Sequence, residues 1–230
     1  MITRSKANGQ VSLRTKNAVI DRTDLYATWG KRGFDIVFAL AVLTLFLPVY
    51  LAITLSIFIS SRGSFLYIHP RVGLNGSSFN CIKFRTMING ADQALEDHLN
   101  SCPISRAEYE ASFKLKHDPR ITKIGKFLRT TSLDELPQFW NVLMGDMSVV
   151  GPRPLVQAEL IKYGSAIDRV LSVRPGIAGL WQVSGRNDIP YSRRVQIDAS
   201  YVKRMSFWLD LYLIFKTILV VIFPKGNGAY

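Results

Sequence analysis

The sequence predicts a mostly helical α+β domain seated on a membrane by an apolar helical segment near its start. Three observations predict it. No charged residue occurs from 36 to 61, a run long enough to cross a bilayer as one helix but interrupted by Pro48. Two short runs of strand-forming residues flank a Gly73-Leu74-Asn75-Gly76 turn, the mark of a small strand pair. Much of the remaining chain carries apolar residues three and four apart, punctuated by glycine and proline.

In order along the chain, residues 1–29 form a polar, basic tail without sustained periodicity. Residues 30–62 are the membrane segment, too long and too far from the start for a cleavable signal peptide. Pro48 lacks a backbone donor and clashes one turn back, so it breaks the helix between Thr44 and Leu47. Each half then measures about 18 Å, short of the ~30 Å hydrocarbon core. Lys31 and Arg32 precede the run, and Arg62, Arg71, Lys83 and Arg85 follow it with no acid before Asp92. Both flanks therefore favour the cytoplasmic side. A re-entrant hairpin satisfies this, and an ordinary kinked spanning helix is the alternative.

Residues 63–223 form the folded domain, and 224–230 a short tail. Strands are expected at 65–69 and 79–87, and helices at 89–100 and 106–115. Residues 121–129 carry Ile121, Ile124, Phe127 and Leu128 on one helical face. Ser132, with Glu135 three positions on, has the form of a capping box opening a helix to Met144, which Gly145 stops. Gly151-Pro152-Arg153-Pro154 and Arg174-Pro175-Gly176 read as stiff turns. Helices are expected at 157–173 and 193–205. Residues 207–223 are apolar but carry Asp210 and Lys216, which suits an amphipathic interfacial helix.

A net charge of +12 suits anionic headgroups, phosphorylated substrates or nucleic acid. Bases and aromatics do not interleave into a recognition motif, which argues against nucleic acid. Cys81 and Cys102 have no metal-ligand spacing and imply a reducing, cytosol-facing setting.

The chemistry-bearing residues lie between 83 and 198. Asp134 and Glu135 admit two readings. Acids in a first helical turn are stabilised by the helix dipole, and Glu135 completes a cap with Ser132. Alternatively, one is a nucleophile towards phosphorus and the other orients it, binds metal or caps the helix. Adjacent helical residues point about 100° apart, so the two cannot form a facing dyad. The chemical reading requires cations to offset repulsion from a phosphate. Lys83 and Arg85 share one strand face, Arg129 sits one turn before the acids, and Arg153 is pinned between prolines. Arg174 and Arg186 stand in glycine-rich loops.

Read in order, Lys31-Arg32-Gly33-Phe34-Asp35, Arg71-Val72-Gly73, Lys83-Phe84-Arg85-Thr86-Met87, Arg129-Thr130-Thr131-Ser132-Leu133-Asp134-Glu135-Leu136-Pro137-Gln138, Gly145-Asp146-Met147-Ser148, Gly151-Pro152-Arg153-Pro154, Arg174-Pro175-Gly176 and Ser184-Gly185-Arg186-Asn187 carry a resemblance. From Lys31 to about Phe223 the chain resembles the bacterial sugar transferase family, monotopic phosphoglycosyl transferases, in their minimal catalytic form. The resemblance implies a re-entrant membrane helix broken at Pro48 and a catalytic domain on the cytoplasmic face of the bacterial inner membrane. It implies transfer of a sugar 1-phosphate from a UDP-sugar to polyprenyl phosphate, with release of UMP, at the start of exopolysaccharide assembly. Asp134 matches the nucleophile and would also meet Mg2+, and Glu135 matches an essential neighbour. Arg129, Arg153 and Arg186 resemble phosphate ligands, Lys83, Arg85 and Arg174 join them in the basic substrate-binding set, and Asp198 matches an acid near the site. The runners-up are a non-catalytic basic membrane adaptor and a glycosyltransferase releasing UDP. The sequence carries no signal for the oligomeric state or the identity of the sugar.

Overall fold

The computed structural model describes residues 26, 30–61, 63–112, 115, 118–184 and 189–223, so Arg186 and both tails lie outside it apart from Tyr26. It is α+β and mostly helical, with two small strand pairs among the described residues.

Helices α1 (Lys31–Leu45) and α2 (Leu47–Ser60) meet at Phe46 and bend by 60°. Pro48 lies in the first turn of α2, where a missing N–H leaves no bond unmade, so the break falls where the sequence places it. No single described helix is long and apolar enough to cross a membrane; this bent pair is, by length and composition together. Leu45, Leu47, Leu51, Leu55, Phe58 and Ile59 stay exposed along the bend.

The base of α1 is buried. Lys31 bonds Asp210 at 2.5 Å, and Arg32 donates to the carbonyls of Val142 and Leu143 at 2.6 and 2.8 Å. Asp35 accepts from the Ser148 hydroxyl at 3.0 Å and the Val149 amide at 2.9 Å. Lys31 and Arg32, which precede the apolar run, thus also engage protein groups. Asp210 also accepts from the hydroxyls of Tyr201 and Tyr26, so the acid interrupting the C-terminal apolar helix is a buried anchor for α1.

Strands β1 (Leu66–Val72) and β2 (Ser78–Phe84) pair antiparallel, with Tyr67 opposite Lys83 and Arg71 opposite Phe79. Asn75 and Gly76 take positive φ in the turn between them. Helix α3 (Ala91–Ser101) is followed by α4 (Pro103–Ser112), which starts three residues earlier than expected because proline suits a first helical position. Helix α5 (Lys123–Thr131) is capped by Thr122, whose hydroxyl accepts from the Gly125 amide at 2.9 Å. Helix α6 (Gln138–Met144) ends at Gly145 with φ 91°.

Further on, one element was not expected and one expectation fails. Beside the stiff turns runs a parallel pair, β3 (Ser148–Val150) and β4 (Gly176–Ala178), too short for alternation to reveal. Residues Gln157–Ala166 form 3-10 turns, not a helix, and only Ile167–Val170 (α7) is α-helical. Gly164 reverses the backbone at φ 49°, which ends any continuous helix there. Helices α8 (Tyr191–Arg204) and α9 (Phe207–Ile222) complete the fold. Helix α9 leaves Trp208, Tyr212 and Phe215 exposed on the face away from Asp210, Leu213 and Ile214.

Candidate active site

The acidic pair does not open a helix. Ser132 ends α5 with φ 56° and its side chain caps no helix, and Leu133–Glu135 form a single 3-10 turn, with Pro137 immediately before α6. The capping-box reading fails because of Pro137. Inside a helix begun at Ser132 it could not donate to the carbonyl of Leu133 and would clash with it. The turn is held from below. Leu133 and Leu136 pack with Ile53, Ile57 and Phe84, and the Tyr50 hydroxyl donates to the Leu136 carbonyl at 2.6 Å. Helix α2 is therefore the floor on which the two acids stand.

Strand β2 brings Lys83 against them. Its ammonium lies 2.5 Å from Glu135 Oε1 and 3.9 Å from Asp134 Oδ2. Burial disfavours the ammonium, but Glu135 and Asp134 outweigh it and raise its pKa, so Lys83 stays charged. The Asp134 side chain is only 13% exposed. Burial, then repulsion from Glu135, pushes its pKa up to about 6, with Lys83 and Arg129 pulling the other way. Arg129 is steadied by donating from Nε to the Thr86 hydroxyl at 2.9 Å. Gly125 makes that bond possible. The helix lies so close to β2's exit that a Cβ there would sit 1.9 Å from the Thr86 carbonyl oxygen.

A second basic group follows along β2. Burial pushes the Cys81 thiol up, with Lys83, Arg71 and Arg153 opposing and Glu135 adding. Lys83, Glu135, Arg71 and Arg153 thus all act on the Cys81 thiol. The Arg153 loop is clamped by the β3–β4 contact: Gly151 N donates to Ala178 O at 2.9 Å and Gly176 N to Pro152 O at 2.8 Å. Side chains at Gly151 or Gly176 would strike the opposing backbone, which is why both turns carry glycine beside proline. Arg153 lies 5.7 Å from the Trp181 ring, and Arg194 lies 4.2 Å from the same ring. Asp198, buried on α8, accepts from the Tyr163 hydroxyl at 2.9 Å.

Of the residues named from sequence, the fold gathers Lys83, Arg129, Asp134 and Glu135 at one point, with Arg153 and Asp198 in the adjoining group. Arg85, one residue past β2, donates to the Ser61 carbonyl at 2.8 Å and to Asn89 Oδ1 at 2.7 Å. Arg174 donates to the Gly145 carbonyl at 2.7 Å, closing the end of α6 beside Arg32. Arg186 lies outside the described residues. Arg71, Tyr163, Trp181 and Arg194 were missed; only Arg71 stood in a motif, and nothing in the sequence marks the other three as neighbours.

Among the described residues no group of three or more His, Cys, Asp or Glu side chains could hold a metal by itself. Two crowded carboxylates nevertheless suit Mg2+, which keeps several waters and uses one or two carboxylates together with substrate phosphates.

Residues 26–224 match the family described as bacterial sugar transferase. The chain is 52% identical over 202 residues to the UDP-galactose-lipid carrier transferase of Erwinia amylovora, covering 87% of this chain and 41% of that protein. It is 46% identical over 218 residues to the undecaprenyl-phosphate galactose phosphotransferase of Salmonella typhimurium, covering 95% of this chain and 44% of that one. Against the exopolysaccharide production protein ExoY of Rhizobium meliloti it is 48% identical over 198 residues, covering 86% and 88%. The chain thus spans less than half the length of the first two relatives and most of the third. Since the match runs from the base of α1 through the acidic turn and both basic groups to α9, the chain belongs to the bacterial sugar transferase family.

Proposed function

We propose that the protein transfers a sugar 1-phosphate from a UDP-sugar to polyprenyl phosphate through a phosphosugar carried on Asp134, releasing UMP. The observation that carries this reading is a mostly buried aspartate beside Glu135, Lys83 and Arg129. Relatives named for undecaprenyl-phosphate sugar phosphotransfer support the substrate classes. An Asp134 carboxylate oxygen attacks the phosphorus that bears the sugar. The bond from that phosphorus to the bridging oxygen breaks, and UMP leaves with the electron pair. A phosphate oxygen of polyprenyl phosphate then attacks the same phosphorus and displaces Asp134. Lys83 and Arg129 offset the phosphate charge that would otherwise repel the carboxylate, and Glu135 holds Lys83 in place. When bound at Asp134 and Glu135, Mg2+ would spread charge off the phosphoryl oxygens. UMP as the nucleotide product supports this reading; UDP would favour a glycosyltransferase.

Attack requires ionised Asp134. Its raised pKa means the carboxylate is lost as pH falls through about 6. The expected kcat/KM profile rises with pH through that point and levels above it, checked with a buffer series on purified enzyme.

Arg153 supplies the next cation. Arg153→Lys keeps the charge but loses the planar fork that grips two phosphate oxygens. The expected result is a fall in kcat/KM of roughly a hundredfold with little change in melting temperature. Near-normal turnover of Arg153→Ala would reassign Arg153 to a surface charge.

The bent α1–α2 pair supports a hairpin that enters and leaves the cytoplasmic face of the inner membrane, with α9 lying on the surface. Cysteines placed before Lys31 and after Ser61 are both expected to react only from the cytoplasmic side. In the bent form Pro48 forfeits no hydrogen bond, but in a helix running straight through Phe46 it would be interior, where proline costs ~3 kcal/mol relative to alanine, so Pro48→Ala favours the straightened form. It is expected to expose part of the population's N-terminal cysteine to periplasmic reagent.

A further inference from the structure

The group around Asp198 holds more hydrogen-bonding capacity than the protein uses. Asp198 is 1% exposed; its Oδ2 accepts from Tyr163, whereas Oδ1 is buried with no partner. The indole N–H of Trp181, 4% exposed, has none either, nor do Arg194 Nε and the Tyr191 hydroxyl. Buried polar atoms are almost always paired, so one open acceptor beside several open donors points to a ligand offering both.

The chemistry of that ligand can be narrowed. A phosphate alone would meet the donors but set a second anion against Asp198. Burial lifts the Asp198 pKa to about 7 against the Tyr163 hydrogen bond, Arg194 and Arg153, so near neutrality the group suits a partner that can both donate and accept. A stacked base would need the indole ring, which two guanidiniums already occupy at 4.2 and 5.7 Å. Hydroxyl groups both donate and accept, and a sugar ring presents several at fixed angles. Arg153, 5.7 Å from the Trp181 ring, also acts on Cys81 together with Lys83 and Glu135. A hydroxylated ring here would share Arg153 with the phosphate it carries.

We propose that Asp198 Oδ1 and the indole N–H of Trp181 bind hydroxyls of the sugar being transferred and so select which UDP-sugar is used. The inference rests on the phosphosugar-transfer reading. It assigns the selectivity to a buried pair on α8 and the segment before it, apart from the acidic turn.

The test compares kcat/KM for UDP-glucose and UDP-galactose, with polyprenyl phosphate as acceptor, in wild type, Asp198→Asn and Trp181→Phe. Asparagine keeps the shape and the Tyr163 contact but puts an amide N–H2 where the open acceptor was. Phenylalanine keeps a ring under Arg194 and removes the indole N–H. Asp198→Asn is expected to shift the ratio of the two kcat/KM values at least tenfold, chiefly through KM. Trp181→Phe is expected to shift it several-fold, and it decides the matter if Asp198→Asn does not fold. Inhibition by UMP is expected to stay the same in both variants. A uniform loss with the ratio unchanged would overturn the inference, leaving Asp198 as a brace between α8 and Tyr163. Weakened UMP inhibition in step with the donors would overturn it too, because the hydroxyls would then be those of the ribose. A wild type that releases no UMP from either donor, or from a wider panel, overturns the transferase reading itself. An active wild type with unchanged ratios in the variants overturns the sugar assignment alone.

Discussion

Asp134→Asn is expected to abolish turnover, by at least about a thousandfold in kcat, while the protein folds normally. The amide keeps the shape of the carboxyl and its place on the 3-10 turn but cannot form an acyl phosphate. Folding should not suffer, and the sign can be worked out. The folded pKa is raised above the usual aspartate value to about 6, so the folded state holds the proton more tightly than the unfolded state. The ionised carboxylate therefore costs stability, and that cost grows as pH rises from about 4 to 6 and stays above it. Asparagine removes it, so at pH 8 the variant should melt at or above the wild-type temperature. Lys83 keeps its 2.5 Å contact with Glu135, so no buried ammonium is orphaned. Loss of activity together with a lower melting temperature would instead mark Asp134 as part of the scaffold.

The second large effect comes from a residue with no chemistry of its own. Gly125→Ala should lower both stability and activity, because the added Cβ would sit 1.9 Å from the Thr86 carbonyl oxygen and 2.6 Å from its carbon. Both atoms are backbone, so no side-chain rotation relieves the contact and α5 must move off the end of β2. Overpacking of this kind costs about 1–3 kcal/mol or more. The same shift parts Arg129 from Thr86 and disturbs Leu128, which packs against Ile53, Ile57 and Phe84 beneath the acidic turn. A melting curve and a steady-state assay check this: the melting temperature should fall by several degrees and kcat/KM by more than tenfold. A shift in melting temperature alone would show that Arg129 is not positioned through this contact.

Much of this arrangement could be read from the chain. The apolar run and its proline placed the α1–α2 break, and alternation around Asn75-Gly76 placed the hairpin that carries Lys83. The misreadings share a physical cause. Ser132 and Glu135 have the spacing of a capping box, but Pro137 forbids the helix they would open, and local propensity yielded to a neighbour five positions on. The 157–173 segment has helical composition, yet Gly164 takes a backbone turn that composition does not announce. Arg85 and Arg174 stand in motifs, but the carbonyls of Ser61 and Gly145 that they bond are 24 and 29 positions away, which no local pattern announces. Lys31 and Asp210 are 179 positions apart, so nothing local showed that each neutralises the other. Trp181 and Arg194 were hidden for another reason: they stand on a turn and a helix with no common motif to mark them as neighbours of each other.

The central claim is that Asp134 carries the phosphosugar between donor and acceptor, and one experiment addresses it directly. Purified enzyme is mixed with UDP-sugar labelled on the phosphate that bears the sugar, with polyprenyl phosphate left out. The predicted result is a burst of UMP close to one equivalent per enzyme, with the label bound to protein and mapping to the peptide that contains Asp134. Adding polyprenyl phosphate should then move the label into lipid. If UMP appears only when polyprenyl phosphate is present and no label is ever found on the protein, the transfer is direct and Asp134 is not the nucleophile.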